Sequence, residues 1–212
     1  MFSGIVEEIG RIGRVSESSA GLTLMIGCRT VLDDVRLGDS IAVDGVCLTV
    51  ASFSSTSFTA NIQPVTARRS SLGSKRSGAP LNLERSLALG GRIGGHYVQG
   101  HVDGVGRIAG RRGDGASAIV EIDLPPDIMR YVVERGFIAV DGASLTVMEL
   151  RPTGIAVSLV AHTQQHITLP ALPTGAPVNI ETDVIARYVE RLVEPREAAG
   201  LTIEALQRAG FA

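Results

Sequence analysis

The chain has 212 residues, a formal net charge of -2, and 44% hydrophobic against 20% charged residues: enough apolar side chain for a buried core, and no excess charge to draw nucleic acid onto a whole face. Its two cysteines, Cys28 and Cys47, are too few for a disulfide framework and read as free thiols. No apolar run approaches the roughly 20 residues that span a bilayer, and MFSGIVEEIG lacks the basic start and apolar core of a secretory signal, so the cytoplasm is the expected compartment.

From the amino end, short segments recur in order. GIVEEIGRI from Gly4 returns at an offset of ninety-six as GHVDGVGRI from Gly100. IAVDGVCLTV from Ile41 returns at ninety-seven as IAVDGASLTV from Ile138, identical at eight of ten positions, and GAPLNLE from Gly78 returns as GAPVNIE from Gly175. Three ordered matches at nearly one offset mean a tandem duplication with a boundary near His96. The expected division is 1–96, 97–182 and a C-terminal segment, 183–212.

Within the first copy, Leu22, Leu24 and Ile26 alternate with polar or small residues, as do Phe58, Ala60 and Ile62, the period of a half-buried strand. Thr30 is placed to cap a short helix over VLDDVRL, ending before Gly38. Asp44-Gly45 predicts a tight hairpin. Arg68, Arg69, Lys75 and Arg76 read as a solvated loop. The second copy repeats the plan: Pro125-Pro126-Asp127 opens a helix over IMRYVVER that Gly136 closes, and Asp141-Gly142 makes the second hairpin. Each copy therefore reads as a small antiparallel barrel. From Thr182, TDVIARYVERLVEP places Val184, Ile185, Tyr188, Val189 and Leu192 on one helical stripe, with Asp183 in its first turn and Pro195 as its stop. A second short helix is expected from Thr202 to about Ala209.

The chemistry-bearing residues exclude several classes. His96 and His101 stand five apart without an evident third ligand, so no metal site is expected. GGRIGG, from Gly90 to Gly95, has neither the spacing nor the strand and helix of a dinucleotide loop. What stands out is equivalence: Cys47 and Thr49 match Ser144 and Thr146, and the loop Gln63-Pro64-Val65-Thr66 matches Val160-Ala161-His162-Thr163. Paired pockets imply two similar ligands held in related ways.

MFSGIVEEIG, the doubled IAVDGxxLTV, NLERSLALGGRIGGHYVQGHVDGVG at the junction and NIETDVIARYVERL near the end closely resemble riboflavin synthase of the alpha-chain type, over essentially the whole chain. The resemblance implies a mainly β fold of two tandem six-stranded Greek-key barrels with a C-terminal helix, assembled as a homotrimer. It also implies a cofactor-free dismutation of two molecules of 6,7-dimethyl-8-ribityllumazine, one giving a four-carbon unit to the other, in sites between the N-barrel of one subunit and the C-barrel of its neighbour. Lumazine synthase is a candidate partner; nucleic acid and membrane are not expected.

Carried onto this sequence, the family pattern places one lumazine against Gly4, Ile5, Val6, Cys47, Leu48, Thr49 and the stretch Asn61, Ile62, Gln63, Pro64, Val65, Thr66. The other lies against Gly100, His101, Val102, Ser144, Leu145, Thr146 and the stretch Ser158, Leu159, Val160, Ala161, His162, Thr163, with Phe2 helping to close the site. His101 and Ser144 are the expected proton-transfer groups, and Cys47 and Thr49 position or activate the other molecule. Arg135 stands where the family usually has lysine, and Val65 and His162 where it often has glutamate. The alternative is a non-catalytic lumazine- or flavin-binding paralogue on the same fold.

Overall fold

The computed structural model describes residues 1–19, 21–193, 207, 208 and 210. Twelve strands form two closed barrels. The first is built from β1 (Glu8–Ser18), β2 (Gly21–Gly27), β3 (Ser40–Val43), β4 (Val46–Phe53), β5 (Ser57–Ile62) and β6 (Pro80–Arg85), in the order β1-β2-β5-β4-β3-β6. The second uses β7 (Gly104–Asp114), β8 (Ser117–Asp123), β9 (Phe137–Val140), β10 (Ala143–Arg151), β11 (Gly154–Leu159) and β12 (Pro177–Thr182). Its circuit is the same when each strand is matched to its counterpart. Even the irregularities recur: the register shifts between Ile12 and Arg14 and between Val50 and Ser52, and again between Ile108 and Gly110 and between Val147 and Glu149. Such bulges let a small sheet bend far enough to close.

Period-two alternation decides which side chains fill each barrel. Leu24, Ile26, Leu48, Val50, Phe58, Ala60 and Ile62 meet inside the first, and Val120, Ile122, Leu145, Val147, Ile155, Val157 and Leu159 inside the second. Cys28 belongs to the first core, where burial pushes its thiol up to about 12, so it stays protonated and inert.

The barrels meet through their Asp-Gly hairpins. Asp44 and Asp141 have φ of 43° and 44°, and the following glycines 77° and 78°, the left-handed pair that a two-residue type I′ turn requires. The turns face each other so closely that a Cβ on Gly45 would lie 2.7 Å from the Gly142 nitrogen. Around them the bonds are reciprocal: Asn82 Nδ2 donates to the Asp141 carbonyl and Asn179 Nδ2 to the Asp44 carbonyl, both at 2.8 Å. The backbone N–H groups of Asn82 and Asn179 donate to the carboxylates of Asp44 and Asp141, both at 2.7 Å. Two buried carboxyl groups thus share one interface. Lys75 pairs with Asp44, and its position in the second copy is taken by Leu172.

Several expectations are corrected. Lys75 is not in a solvated loop: its side chain is 13% exposed, because the buried Asp44 would otherwise lack a counter-ion. The first-copy helix is only a 3₁₀ turn, Thr30–Leu32, with no side-chain cap from Thr30; the Glu8 carboxylate on β1 instead accepts the N–H groups of Arg29 and Val31. The helix over IMRYVVER shrinks to α2 (Pro126–Met129). Arg135 takes a left-handed φ of 64°, and the approach of Gly136 to Val133, where a Cβ would lie 2.5 Å from Cγ2, folds the chain back before a longer helix can form. Conversely, the loops after β5 and β11 are the helices α1 (Pro64–Arg69) and α3 (Ala161–His166); Pro64 at the first helical position was the available signal.

After β12 the chain enters α4 (Val184–Val193). Asp183 precedes rather than joins its first turn, and its carboxylate accepts the Ile185 N–H at 3.0 Å. Arg187 pairs with Asp103, and Glu190 with Arg130 and the Tyr131 hydroxyl, so the helix rests on the second barrel by polar contacts. Ile185, Tyr188, Val189 and Leu192 stay more than half exposed. Pro195, and nearly all of the helix expected over 202–209, lie outside the described residues. Among those described, no helix is long and apolar enough to cross a membrane.

Candidate active site

Because strand side chains alternate, the predicted site residues divide between two faces of each barrel wall. Leu48, Ile62, Leu145 and Leu159 point into the cores and can offer a ligand only their backbone. Cys47, Thr49 and Asn61 point outward from the first barrel, and Ser144, Thr146 and Ser158 from the second. The candidate site is thus a pair of outer walls, since the barrel interiors are filled. Asn61 is steadied by Thr23, whose hydroxyl donates to Oδ1 at 2.9 Å. Gln63, Pro64, Val65 and Thr66 flank the first wall at the start of α1, and Val160, Ala161, His162 and Thr163 flank the second at the start of α3. Val65 and Val160 are both exposed, and His162 stacks on His166 with ring centroids 4.1 Å apart.

The segments that lead into the barrels cross over. The Ser144 N–H donates to the Gly4 carbonyl at 2.8 Å, and the Cys47 N–H donates to the Gly100 carbonyl at 2.9 Å. Val6 packs on the second core and Val102 on the first. The sequence grouping of Gly4, Ile5 and Val6 with Cys47, and of Gly100, His101 and Val102 with Ser144, is therefore corrected: each opening segment lies on the wall of the other copy. A duplication offset reveals equivalence and carries no record of which copy a segment packs against. Within one chain His101 stands beside the Cys47 wall, apart from Ser144.

The crossing has a physical basis. Phe2 and Val98 exchange backbone hydrogen bonds at 2.7 and 3.2 Å, and Phe2, fully buried, packs with Val98, Ala42, Ala139 and Cys47 between the barrels. Phe2 therefore supports the Cys47 wall from behind. Glycine is required where the segments touch the walls: Gly4 has φ of 76° and a Cβ there would lie 2.6 Å from Ser144 Cβ, while Gly100 has φ of 80° and would meet Cys47 Cβ at 2.5 Å.

Two glutamates absent from the sequence prediction hold these segments. Glu84 accepts the N–H groups of Ser3 and Gly4 at 2.8 and 3.0 Å, and Glu181 those of Gln99, Gly100 and His101 at 2.6, 2.9 and 3.0 Å. Burial pushes both carboxyls up, against the opposing pull of these N–H groups. Their signal lay in the repeat itself, as the last residue of GAPLNLE and of GAPVNIE.

His96 is the other residue that spacing alone passed over. Its ring is buried, stacks on Phe137 at 5.1 Å, and places Nδ1 2.7 Å from Ser144 Oγ. Burial lowers its basicity, partly offset by the nearby charge of Asp183. Arg135 stands at the position of Gly38 in the first copy; both are left-handed, and both donate their N–H to β-strand carbonyls, those of Val147 and Val50. An arginine held where its counterpart is glycine carries backbone strain of order 1 kcal/mol, and its exposed side chain extends from the start of β9.

Both walls are open in a single copy. A cleft of about 490 Å³ lies beside Ile5, lined by Ser3, Glu84, Arg85, Arg92 and Gly94, and takes in neither Cys47 nor Ser144. No group of histidine, cysteine and carboxylate side chains among the described residues could hold a metal.

The lumazine binding domain family matches residues 3–86 and again residues 99–183. Riboflavin synthase of Actinobacillus pleuropneumoniae is 42% identical over 215 residues, covering 100% of both chains. That of Mycobacterium bovis is 47% identical, over 91% of this chain and 98% of its own, and that of Bacillus subtilis 39%, over 91% and 90%. Among solved structures, LumP complexed with riboflavin superposes with a TM-score of 0.80 at 24% identity, covering 86% of this chain and 99% of its own. LumP complexed with 6,7-dimethyl-8-(1'-D-ribityl) lumazine gives 0.78 at 23%. At that identity the likeness is one of fold.

Proposed function

The chain belongs to the riboflavin synthase family, and we infer from the two matched walls how it divides its reaction. It is a transferase that moves a four-carbon unit between two molecules of 6,7-dimethyl-8-ribityllumazine, giving riboflavin and 5-amino-6-ribitylamino-uracil. The non-catalytic paralogue is not favoured: riboflavin synthases match 91 to 100% of the chain at 39 to 47% identity, against 23 to 24% for LumP.

The observation that carries the division is that both barrels present the same outward pattern, Cys47 with Thr49 and Ser144 with Thr146. Each wall takes one lumazine, edged by the helix that follows: Asn61 through Thr66 in one case, Ser158 through Thr163 in the other. An open wall cannot enclose a planar substrate alone. A second copy supplies the cover, with the Cys47 wall of one subunit facing the Ser144 wall of the next, so that His101 of one copy comes opposite Ser144 of another. Residues 183–212 hold the copies together as a homotrimer, supported by the apolar stripe of Ile185, Tyr188, Val189 and Leu192, which stays more than half exposed among the described residues. The cytoplasm, where lumazine and flavin metabolism would operate with free thiols, is the proposed location.

Catalysis draws first on positioning. Holding two planar molecules in register is worth up to about 7 to 11 kcal/mol for well-oriented pairs. Proton transfer adds to it: the substrate's 7-methyl group is acidic because the carbanion spreads over the ring, so a modest base is enough. Arg135, permanently charged, reaches from its strained position to the ribityl or pyrimidine edge.

The test is incubation of the purified protein with 6,7-dimethyl-8-ribityllumazine, with riboflavin followed against a protein-free control. Repeated turnover is expected. Stoichiometric binding without riboflavin would overturn the catalytic reading, and a monomeric mass by light scattering at working concentration would overturn the trimer.

A further inference from the structure

We propose that His96 is a positioning and proton-relay residue that acts through Ser144, and that this pair makes the second barrel wall the proton-transferring one of the two. This rests on the reading of the walls as lumazine sites.

The observations are geometric. Ser144 Oγ lies 2.7 Å from His96 Nδ1, within reach for a serine that hands its proton to a base. The pair is closed in on the side away from the open wall: a Cβ on Gly95 would lie 2.6 Å from Ser144 Oγ and 2.3 Å from the Ser3 carbonyl, so no side chain fits there and water has little access from that side. The imidazole is fixed by its stack on Phe137 and by its own backbone N–H, which donates to the Ser3 carbonyl at 3.1 Å. Its Nε2 is buried and makes no hydrogen bond among the described residues. A histidine kept only to fill space would be expected to satisfy both nitrogens; this one has a partner only on the side of the wall. Asp183, just beyond β12, is the charged group whose field reaches the ring, and it favours the imidazolium.

The first wall lacks this arrangement. Cys47 makes its backbone bond to Gly100, but its Sγ has no hydrogen-bonded partner among the described residues. The divergence of cysteine and serine in the repeat is thus matched by a base that stands behind one of them.

The step balances without a cofactor. As the C–H bond of the substrate's 7-methyl group breaks, its electron pair stays in the ring-delocalised carbanion. Ser144 Oγ takes the proton while its own proton passes to His96 Nδ1. The relay runs in reverse when a later carbanion is protonated. Because burial disfavours the imidazolium, the proton is returned readily, which suits a dismutation in which protons are both removed and restored.

The experiment compares wild type, His96→Asn, Ser144→Ala and the double variant, with ordinary and 7-trideuteromethyl substrate. Asparagine keeps a hydrogen-bonding group near the Nδ1 position but cannot take a proton. Expected for His96→Asn are a kcat lower by about 10²-fold, near the lower end for general-base catalysis, a KM within about threefold, a larger deuterium effect on kcat, and loss of the acid limb of the pH profile. That limb lies below the ordinary histidine value in wild type, because burial lowers the ring's pKa. The double variant is expected to be no slower than the worse single variant, as for groups acting as a unit. Wild-type kcat and isotope effect in His96→Asn, or losses that simply multiply in the double variant, would overturn the relay. Failure of the wild type to make riboflavin would instead overturn the underlying reading. Should His96→Asn misfold, His96→Gln with lumazine binding as the folding check serves the same comparison.

Discussion

The wall around Cys47 and the wall around Ser144 are built from equivalent strands, with the same bulges, the same type I′ hairpin and the same crossing segment held by a glutamate. Among the side chains that separate them are Cys47 against Ser144, Val65 against His162, Gly38 against Arg135 and Lys75 against Leu172, and a buried histidine stands behind the second wall. The scaffold repeats because barrel closure depends on the alternation of apolar side chains and on a few turns, which both copies keep. Chemistry diverges because outward residues are not needed for closure and are free to change.

The largest effect should come from breaking the crossing that places both walls. Gly100→Val and Gly4→Val each force a branched side chain into a left-handed position against Cys47 or Ser144, and each is expected to abolish measurable turnover and lower stability by about 3 kcal/mol or more. Denaturant melts and riboflavin assays check this; normal activity in either would mean the segments are not held as described.

Next come the glutamates. Glu181→Gln replaces an acceptor of three N–H groups with an amide that also donates, leaving buried donors unpaired at about 1 to 3 kcal/mol. Its expected signature is a loss of stability with kcat down about tenfold or more, through displacement of the 99–101 segment from the Cys47 wall. Glu84→Gln should do the same to the Ser144 wall. Equal effects on both walls would sharpen the symmetry; a silent variant would break it.

Exchanging the divergent pair is expected to be milder and unequal. Cys47→Ser should cost less than about tenfold in kcat. Ser144→Cys should cost more, since the larger sulfur must fit where Gly95 already presses on the side chain. Steady-state kinetics of the two variants measure the difference directly.

The smallest effect concerns the interface between the barrels. Burial and the neighbouring charge of Asp44 push the Asp141 carboxyl well above its ordinary value, against the smaller opposing pull of Lys75, and the second copy has no lysine of its own to match Lys75. The folded state therefore favours neutral Asp141, while the unfolded chain ionises near pH 3.9. Stability from this group is present below that pH and declines as pH rises toward the folded value. Asp141→Asn keeps an oxygen for the Asn179 N–H and removes the titration, so its Tm relative to wild type should rise between about pH 4 and 7. A parallel pair of Tm curves would show that Asp141 stays ionised in the fold.

The tandem repeat, the strand alternation, the Asp-Gly hairpins and the stripe of α4 were all legible in the sequence, because each depends on residues close together in the chain, or on a periodicity that neighbouring residues carry. The outward set of Cys47, Thr49, Ser144 and Thr146 was legible for the same reason, through its equivalence between copies. What the sequence could not reveal are contacts between residues far apart: Gly4 lying on Ser144 and Gly100 on Cys47, His96 turned toward Ser144, and Lys75 drawn inward by Asp44. Their energies arise from burial, close approach and unpaired polar groups, quantities that exist only once both barrels are closed and packed against each other.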